Sequence, residues 1–242
     1  MTEAVVLGRG VRRDTSPPGL PVVPPNEAAS GRYDRLLIIG SLAEVAALAA
    51  ACPGRALAFA GAHELSALFA LDPSLTAARR RLEDGTVYPA DLGWLHLGSM
   101  AVPFLGHVVA GAGARLRVGF PWAGWPGEMR IVAERTLEIA AARTVLVSNT
   151  PRLGISTVAP RAAINDGRLD VTVLSGPTID LLRLRPALRH GLHERSPLVR
   201  RTTITECEAT VPERWRVSAD GVVMGRGSFG VTIDPGAVTL LV

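Results

Sequence analysis

The sequence predicts an α+β protein of two domains, a small doubly wound α/β unit over residues 1–90 and a larger β-rich domain over residues 91–242. Three observations predict it. Continuous apolar runs alternate with Ala- and Leu-rich helical segments in the first third of the chain. After Gly85 the chain turns to short β-branched runs separated by Gly, Pro, Asn and Asp. The 242 residues are 48% apolar and 20% charged, which is the balance of a chain that buries a core.

Ala4–Leu7 reads as a short first strand, and residues 11–31, rich in Pro, Gly and Arg without a period, read as loop. Leu36–Ile39 is a continuous apolar run ended by Gly40, as expected of a strand buried on both faces. Leu42–Ala51 reads as a helix, Leu57–Phe59 as a strand, and His63–Leu71 as a second helix. A third helix opens at Asp72-Pro73-Ser74, with Pro near its first turn, and runs through Arg81. This βαβα order implies the doubly wound unit, with its boundary near Asp91.

In the β-rich part the expected strands include Trp94–Leu97, Val108–Val109, Leu116–Val118, Val145–Ser148, Val171–Leu174, Thr202–Ile204, Trp215–Val217 and Val231–Ile233. The spacing predicts an amphipathic helix over Gly127–Ala142, and another over Ile179–Arg189 that Pro186 kinks or divides. Leu95–Ala114 has no Asp, Glu or Arg and approaches the about 20 apolar residues of a membrane span. Its four glycines, Pro103, His96 and His107 argue for buried strands.

All basic residues among the 26 Lys plus Arg are Arg, scattered except at Arg79-Arg80-Arg81 and Arg200-Arg201, and aromatics are 5%. A nucleic-acid surface would concentrate the cations among aromatics, so none is expected. Attraction to anionic lipid head groups suits the +4 net charge and the mean hydropathy of +0.25, beside the ordinary reading of solvated faces. Cys52 and Cys207 form no zinc or disulfide pattern and read as buried thiols of a reducing compartment. The N-terminus has no apolar stretch after a basic start, so no secretory signal is expected. No G-x-S-x-G elbow supports hydrolase chemistry, and Gly111-x-Gly113 is too short for a dinucleotide fingerprint. His63, His96, His107, His190 and His193 show no metal spacing. Trp94, Trp122 and Trp125 with Pro121 and Pro126 read as a core cluster or a lipid-facing one.

The most informative stretch is Val145–Leu174. A strand leads through Ser148-Asn149, Gly154 and Ala159-Pro160 to Asn165-Asp166-Gly167, and a second strand follows. Asn-Asp-Gly is a turn signal, and its carboxylate among turn carbonyls is also what a hard cation prefers. Taken with Ala162, Gly167-Arg168-Leu169-Asp170-Val171, Gly191-Leu192-His193, Pro197-Leu198-Val199, Asp220-Gly221 and Pro235-Gly236-Ala237-Val238, it resembles the diacylglycerol kinase-like lipid kinases, the group that includes sphingosine kinases. The likeness runs from about Arg35 to the end.

The resemblance implies an N-terminal domain of the NAD kinase and diacylglycerol kinase type, to which the last strand returns. It implies ATP-dependent phosphorylation of a lipid hydroxyl with Mg²⁺, in the cytoplasm and peripheral at the inner membrane. It places nucleotide binding at Gly40, Ser41, Glu44, Gly61 and Glu64, the base at Asp220, and a structural Mg²⁺ at Asp166. Leu42-x-Glu44-Val45 keeps the tail of the phosphate-loop motif, but the loop is shortened to Gly40-Ser41 and lacks its Asp and Thr. In the second motif Ala62 and Glu64 replace a Thr and an Asn, and in the base motif Val222 replaces a Glu. Asp220-Gly221 is equally a hairpin turn. The open readings are therefore a divergent kinase of weak or lost activity, a non-catalytic lipid- or ligand-binding relative, and a structural or partner-binding protein.

Overall fold

The computed structural model describes residues 2–111 and 126–242, in two compact units. The first comprises residues 1–92 with 235–242, the second residues 93–234.

In the first unit β1 (Glu3–Leu7), β2 (Arg35–Ile39) and β3 (Ala56–Ala60) are parallel, with Val5 beside Leu37 and Leu37 beside Ala58. Between them lie α1 (Pro25–Ala28) and α2 (Leu42–Ala51), followed by α3 (His63–Leu68) and α4 (Leu75–Asp84). α1 sits in the stretch expected to be loop; Pro25 in its first turn has the φ a helix start needs. Ser74 caps α4, its Oγ accepting the Ala77 amide at 3.3 Å. Val5, Leu37, Ala58, Ala78, Leu82 and Leu241 form one core cluster. Arg81 of the arginine triplet is buried, donating to the carbonyls of Phe59 (2.9 Å) and Asp72 (3.0 Å). The triplet is thus not a uniform surface patch.

β4 (Val87–Leu97) carries the chain into the second unit and pairs with β5 (Met100–Phe104) as a hairpin. Then come β6 (His107–Gly111), β7 (Gly127–Val132), β8 (Leu137–Ser148), the small hairpin β9 (Arg152–Leu153) and β10 (Ser156–Thr157), and β11 (Leu169–Ser175). α5 (Thr178–Arg183) and α6 (Arg185–Arg189) precede β12 (Val199–Ile204), β13 (Glu206–Thr210), β14 (Arg216–Ala219), β15 (Val222–Arg226) and β16 (Phe229–Leu241). β16 starts beside β13, and its last residues pair in parallel with β3, Leu240 beside Leu57.

The inner half of β8 lies between β6 and β11 and is covered on both faces. Val108, Ala110, Val145, Val147, Val171 and Val173 face one cluster; Val109, Leu146 and Leu174 face another, roofed by Leu181 and Leu188 of the helices. Double burial is why these strands read as unbroken apolar runs. The helices divide at Leu184, since Pro186 offers no amide.

One expected element is wrong. Residues 127–142 are not a helix but β7 and the first half of β8, paired Met129 to Ile139 and Ile131 to Leu137. Met129 and Ile131 are buried while Glu128, Arg130 and Val132 are exposed, a period of two. Apolar residues at 129, 131, 132, 137 and 139 fit both periods; β-branched side chains and a neighbouring strand, with Ala209 opposite Ile131, favour the sheet.

The described part of Leu95–Ala114 forms strands, and no helix among the described residues is long and apolar enough to cross a membrane. Ala112-Gly113, Leu116–Val118, Pro121, Trp122 and Trp125 lie outside the described residues. The hairpin assignment predicts that Ile131→Ala costs about 2–4 kcal/mol and Val132→Ser less than about 1 kcal/mol in denaturant unfolding. A helix would not separate these neighbours in that way.

Candidate functional site

Two sites are built from residues singled out by the motifs, one in each unit. In the first unit the strand ends β1, β2 and β3 deliver Gly8-Arg9, Gly40-Ser41 and Gly61. Gly8 donates to the Ile39 carbonyl at 2.8 Å, and Gly40 to the Ala60 carbonyl at 2.9 Å. Gly61 has φ +85°, and a methyl group there would sit 3.0 Å from the Gly40 oxygen, so only glycine fits the turn. The carboxyl ends of parallel strands, with a helix N-terminus behind them, are where α/β folds place anions.

Here the anion is part of the chain. Glu44, in the first turn of α2, accepts the Ser41 amide at 2.7 Å, the Ser41 hydroxyl at 2.9 Å, and the Arg9 amide. Its carboxylate fills the space beside both glycines: an added methyl at Gly8 would lie 2.5 Å from it, and at Gly40 2.6 Å. Partial burial pushes the Glu44 carboxyl up, but the Ser41 and Arg9 amides outweigh this and hold it below the usual carboxylate range. Gly40, Ser41, Glu44 and Gly61 thus come together. Glu64 does not join them; it is exposed on α3 and makes no hydrogen bond or ion pair among the described residues.

In the second unit Asp220 occupies the turn between β14 and β15 at φ +46°. Its Oδ2 accepts the Leu105 amide at 2.8 Å, and its Oδ1 accepts the amides of Gly106 and His107, both at 2.9 Å. Its own amide donates to the His107 carbonyl at 2.9 Å. The Asn149 amide donates to the Gly106 carbonyl at 2.8 Å, and its Nδ2 to the Leu105 carbonyl at 3.1 Å.

His107, which the motifs did not single out as a site residue, is the hub. Its Nε2 lies 2.7 Å from the Arg152 carbonyl, which can only accept, so Nε2 carries the proton. Nδ1 then accepts the Ser148 hydroxyl at 3.0 Å, and Thr150 Oγ1 lies 3.1 Å from Nε2. Burial pushes the ring down to about 4, against the Arg152 hydrogen bond, so it is neutral near pH 7. Its only sequence signal was a lone His at the start of an apolar strand.

Asp166 forms an exposed turn, its Oδ1 accepting the Arg168 amide at 3.0 Å, with Gly167 at φ +70°. One carboxylate among turn carbonyls fits as one donor to a hard cation. Among the described residues no three His, Cys, Asp or Glu side chains are grouped to hold a metal. His190 is exposed, whereas His193 is buried with its Nε2 3.1 Å from the Val158 carbonyl. Burial pushes the thiol of Cys207 up to about 12 and raises that of Cys52, so neither is a ready nucleophile.

A parallel α/β unit followed by this two-faced β-rich unit is the architecture of the NAD kinase and diacylglycerol kinase group. The sequence profile of the YegS C-terminal NAD kinase beta sandwich-like domain matches residues 122–242, half of the chain, and the chain belongs to this diacylglycerol kinase-like family. A diacylglycerol kinase structure from Bacillus anthracis str. Sterne superposes with a TM-score of 0.76 at 14% identity, covering 99% of this chain and 96% of that one. A second structure from the same organism gives 0.76 at 15% identity with the same coverage. Yeast NADH kinase complexed with NADH gives 0.56 at 10% identity, covering 99% of this chain and 82% of that one. No curated protein matches the sequence. The family and fold expected from the motifs are borne out.

Asp220→Asn retains one acceptor oxygen but turns an NH₂ toward an amide, and is expected to lower unfolding free energy by about 2–4 kcal/mol in denaturant titrations. For His107 the folded state binds its proton only near pH 4, whereas the unfolded ring binds it near pH 6.5. Stability from this group is therefore complete above about pH 6.5 and falls as pH drops toward 4, by about 3 kcal/mol once below it. The slope of melting temperature against pH in this window should flatten in His107→Gln.

Proposed function

We propose that the chain is a diacylglycerol kinase-like protein that binds a lipid alcohol or a related ligand, and whose transfer of phosphate from Mg²⁺-ATP is weak or lost. One observation carries this reading: the Glu44 carboxylate takes the amides of Ser41 and Arg9, the donors that a nucleotide phosphate would use. A triphosphate brought to those amides would meet a like charge in the same space. Glu64, exposed on the neighbouring helix, adds a second negative charge where the family motif has a neutral Asn.

The chemistry of phosphoryl transfer needs positioned cations or amides for the phosphate and a base for the alcohol. Asp220 carries the motif's carboxylate, but three amides claim its oxygens, which suits a clamp better than a proton acceptor. Mg²⁺, where Asp166 helps to hold it, would stabilise the turn before β11. When bound to nucleotide it would supply charge neutralisation, and no residue of this chain is assigned to hold it there.

The test is transfer of label from γ-labelled ATP across a panel of lipid alcohols, with thermal shifts by Mg²⁺-ATP and by the same lipids. Melting is expected to rise with a lipid and not with millimolar Mg²⁺-ATP, and label transfer is expected at background. Turnover at an ordinary kinase rate, abolished by Asp220→Asn in a variant that stays folded, would establish the alternative of an active kinase with Asp220 as base. Glu44→Gln, which removes the charge and turns an NH₂ toward the Ser41 or the Arg9 amide, is expected to lower stability by about 1–2 kcal/mol and to strengthen nucleotide binding.

A further inference from the structure

We propose that the outer face of α5 and α6, continued to Arg195, docks on an anionic lipid bilayer. The inner face of these helices is accounted for: Leu181 and Leu188 are buried against Val109, Leu146, Leu174 and Val199. The outer face is not what water alone selects. Ile179 is 55% exposed, Leu182 39%, and Leu192, in the turn that follows, 72%. Ile179, Leu182, Arg183 and Pro186 recur at helical spacing, so the aliphatic side chains share one stripe with a cation.

The charge around this stripe selects the occupant. Residues 176–201 contain six arginines against Asp180 and Glu194, in a chain whose whole net charge is +4. Arg183, Arg189 and Arg195 are exposed. Arg183 pairs with Asp180 at 3.2 Å, while Arg189 and Arg195 make no ion pair among the described residues. Aliphatic side chains among arginines match a surface of acidic head groups over hydrocarbon, where leucines enter and guanidiniums stay with phosphates. A nucleic acid would satisfy the cations and leave Leu182 and Leu192 in water. A second copy packed on this face would bring like charges together.

The hairpin β9–β10 extends the same edge. Thr157 donates to the Arg189 carbonyl at 3.4 Å, and Gly191 is close enough to Thr157 and Pro160 that an added methyl would touch both. At the tip of that hairpin Ile155 is 68% exposed.

Flotation with phosphatidylcholine vesicles, with and without phosphatidylglycerol, tests the proposal. The protein should float with the anionic vesicles, less so in high salt, and remain unbound with neutral ones. Reversing Arg183, Arg189 and Arg195 to Glu should reduce partition by about a hundredfold or more, since losing each arginine alone costs roughly fivefold. Ile179→Ser with Leu182→Ser should reduce it by about tenfold or more. Arg80→Glu, an exposed arginine on α4, is the charge control and should change little. Loss of binding only in the α5–α6 variants supports the proposal. No binding to anionic vesicles overturns it, as does equal loss in the Arg80 control. A dimer in solution that Leu182→Ser dissociates also overturns it, by giving the face to a second copy. Docking stands apart from phosphate transfer: vesicle binding without turnover sustains it, and turnover on dispersed lipid without vesicle binding sinks it alone.

Discussion

Three consecutive amides, those of Leu105, Gly106 and His107, converge on the single carboxylate of Asp220, and much of the second unit is organised around that contact. Successive backbone N–H groups of a strand point to alternate sides, so a sheet ladder cannot satisfy three in a row; a turn aimed at an anion can. The carboxylate comes from the β14–β15 hairpin, which is thereby pinned to the start of β6. That register sets Val108 opposite both Ala219 and Val147. It also puts the His107 ring between Ser148 and the Arg152 carbonyl, where burial holds the imidazole neutral near pH 7. The positive φ of Asp220 is a local cost that this network offsets.

The first unit repeats the device. Glu44 is to the amides of Ser41 and Arg9 what Asp220 is to the amides of β6: an acidic side chain where the chain concentrates donors. In both units the turns are held together by the chain's own carboxylates. In each unit one side chain thereby ties together loops that are far apart in sequence, Arg9 to Ser41 and residues 105–107 to Asp220.

The legible parts of the fold were those with one dominant local signal. Leu36–Ile39 and Val145–Ser148 are buried on both faces and read as strands because nothing in them is polar enough to suggest otherwise. Residues 127–142 failed because their apolar positions satisfy two periods, and the deciding term, pairing of Ile131 with Ala209, is far away in sequence. The site divides in the same way. Ser41 and Glu44 stand three apart, the spacing of a helix cap, so that half of the contact was readable; the Arg9 amide, 35 residues distant, was not. Asp220-Gly221 announced a turn, but its amide partners lie more than 110 residues away, and His107 showed only as a lone His before an apolar strand.

The course of β16 bears on how the molecule is made. Its last residues complete the parallel sheet of the first unit beside β3, with Leu241 in that unit's core. During synthesis the ribosome therefore releases β1, β2 and β3 long before the segment that closes their sheet. Until residues 239–241 emerge, Leu57 lies on an open edge of an apolar sheet, the kind of surface that invites pairing with the wrong chain. Vectorial folding from the N-terminus cannot finish the first unit; it has to wait for a strand more than 170 residues further along the chain.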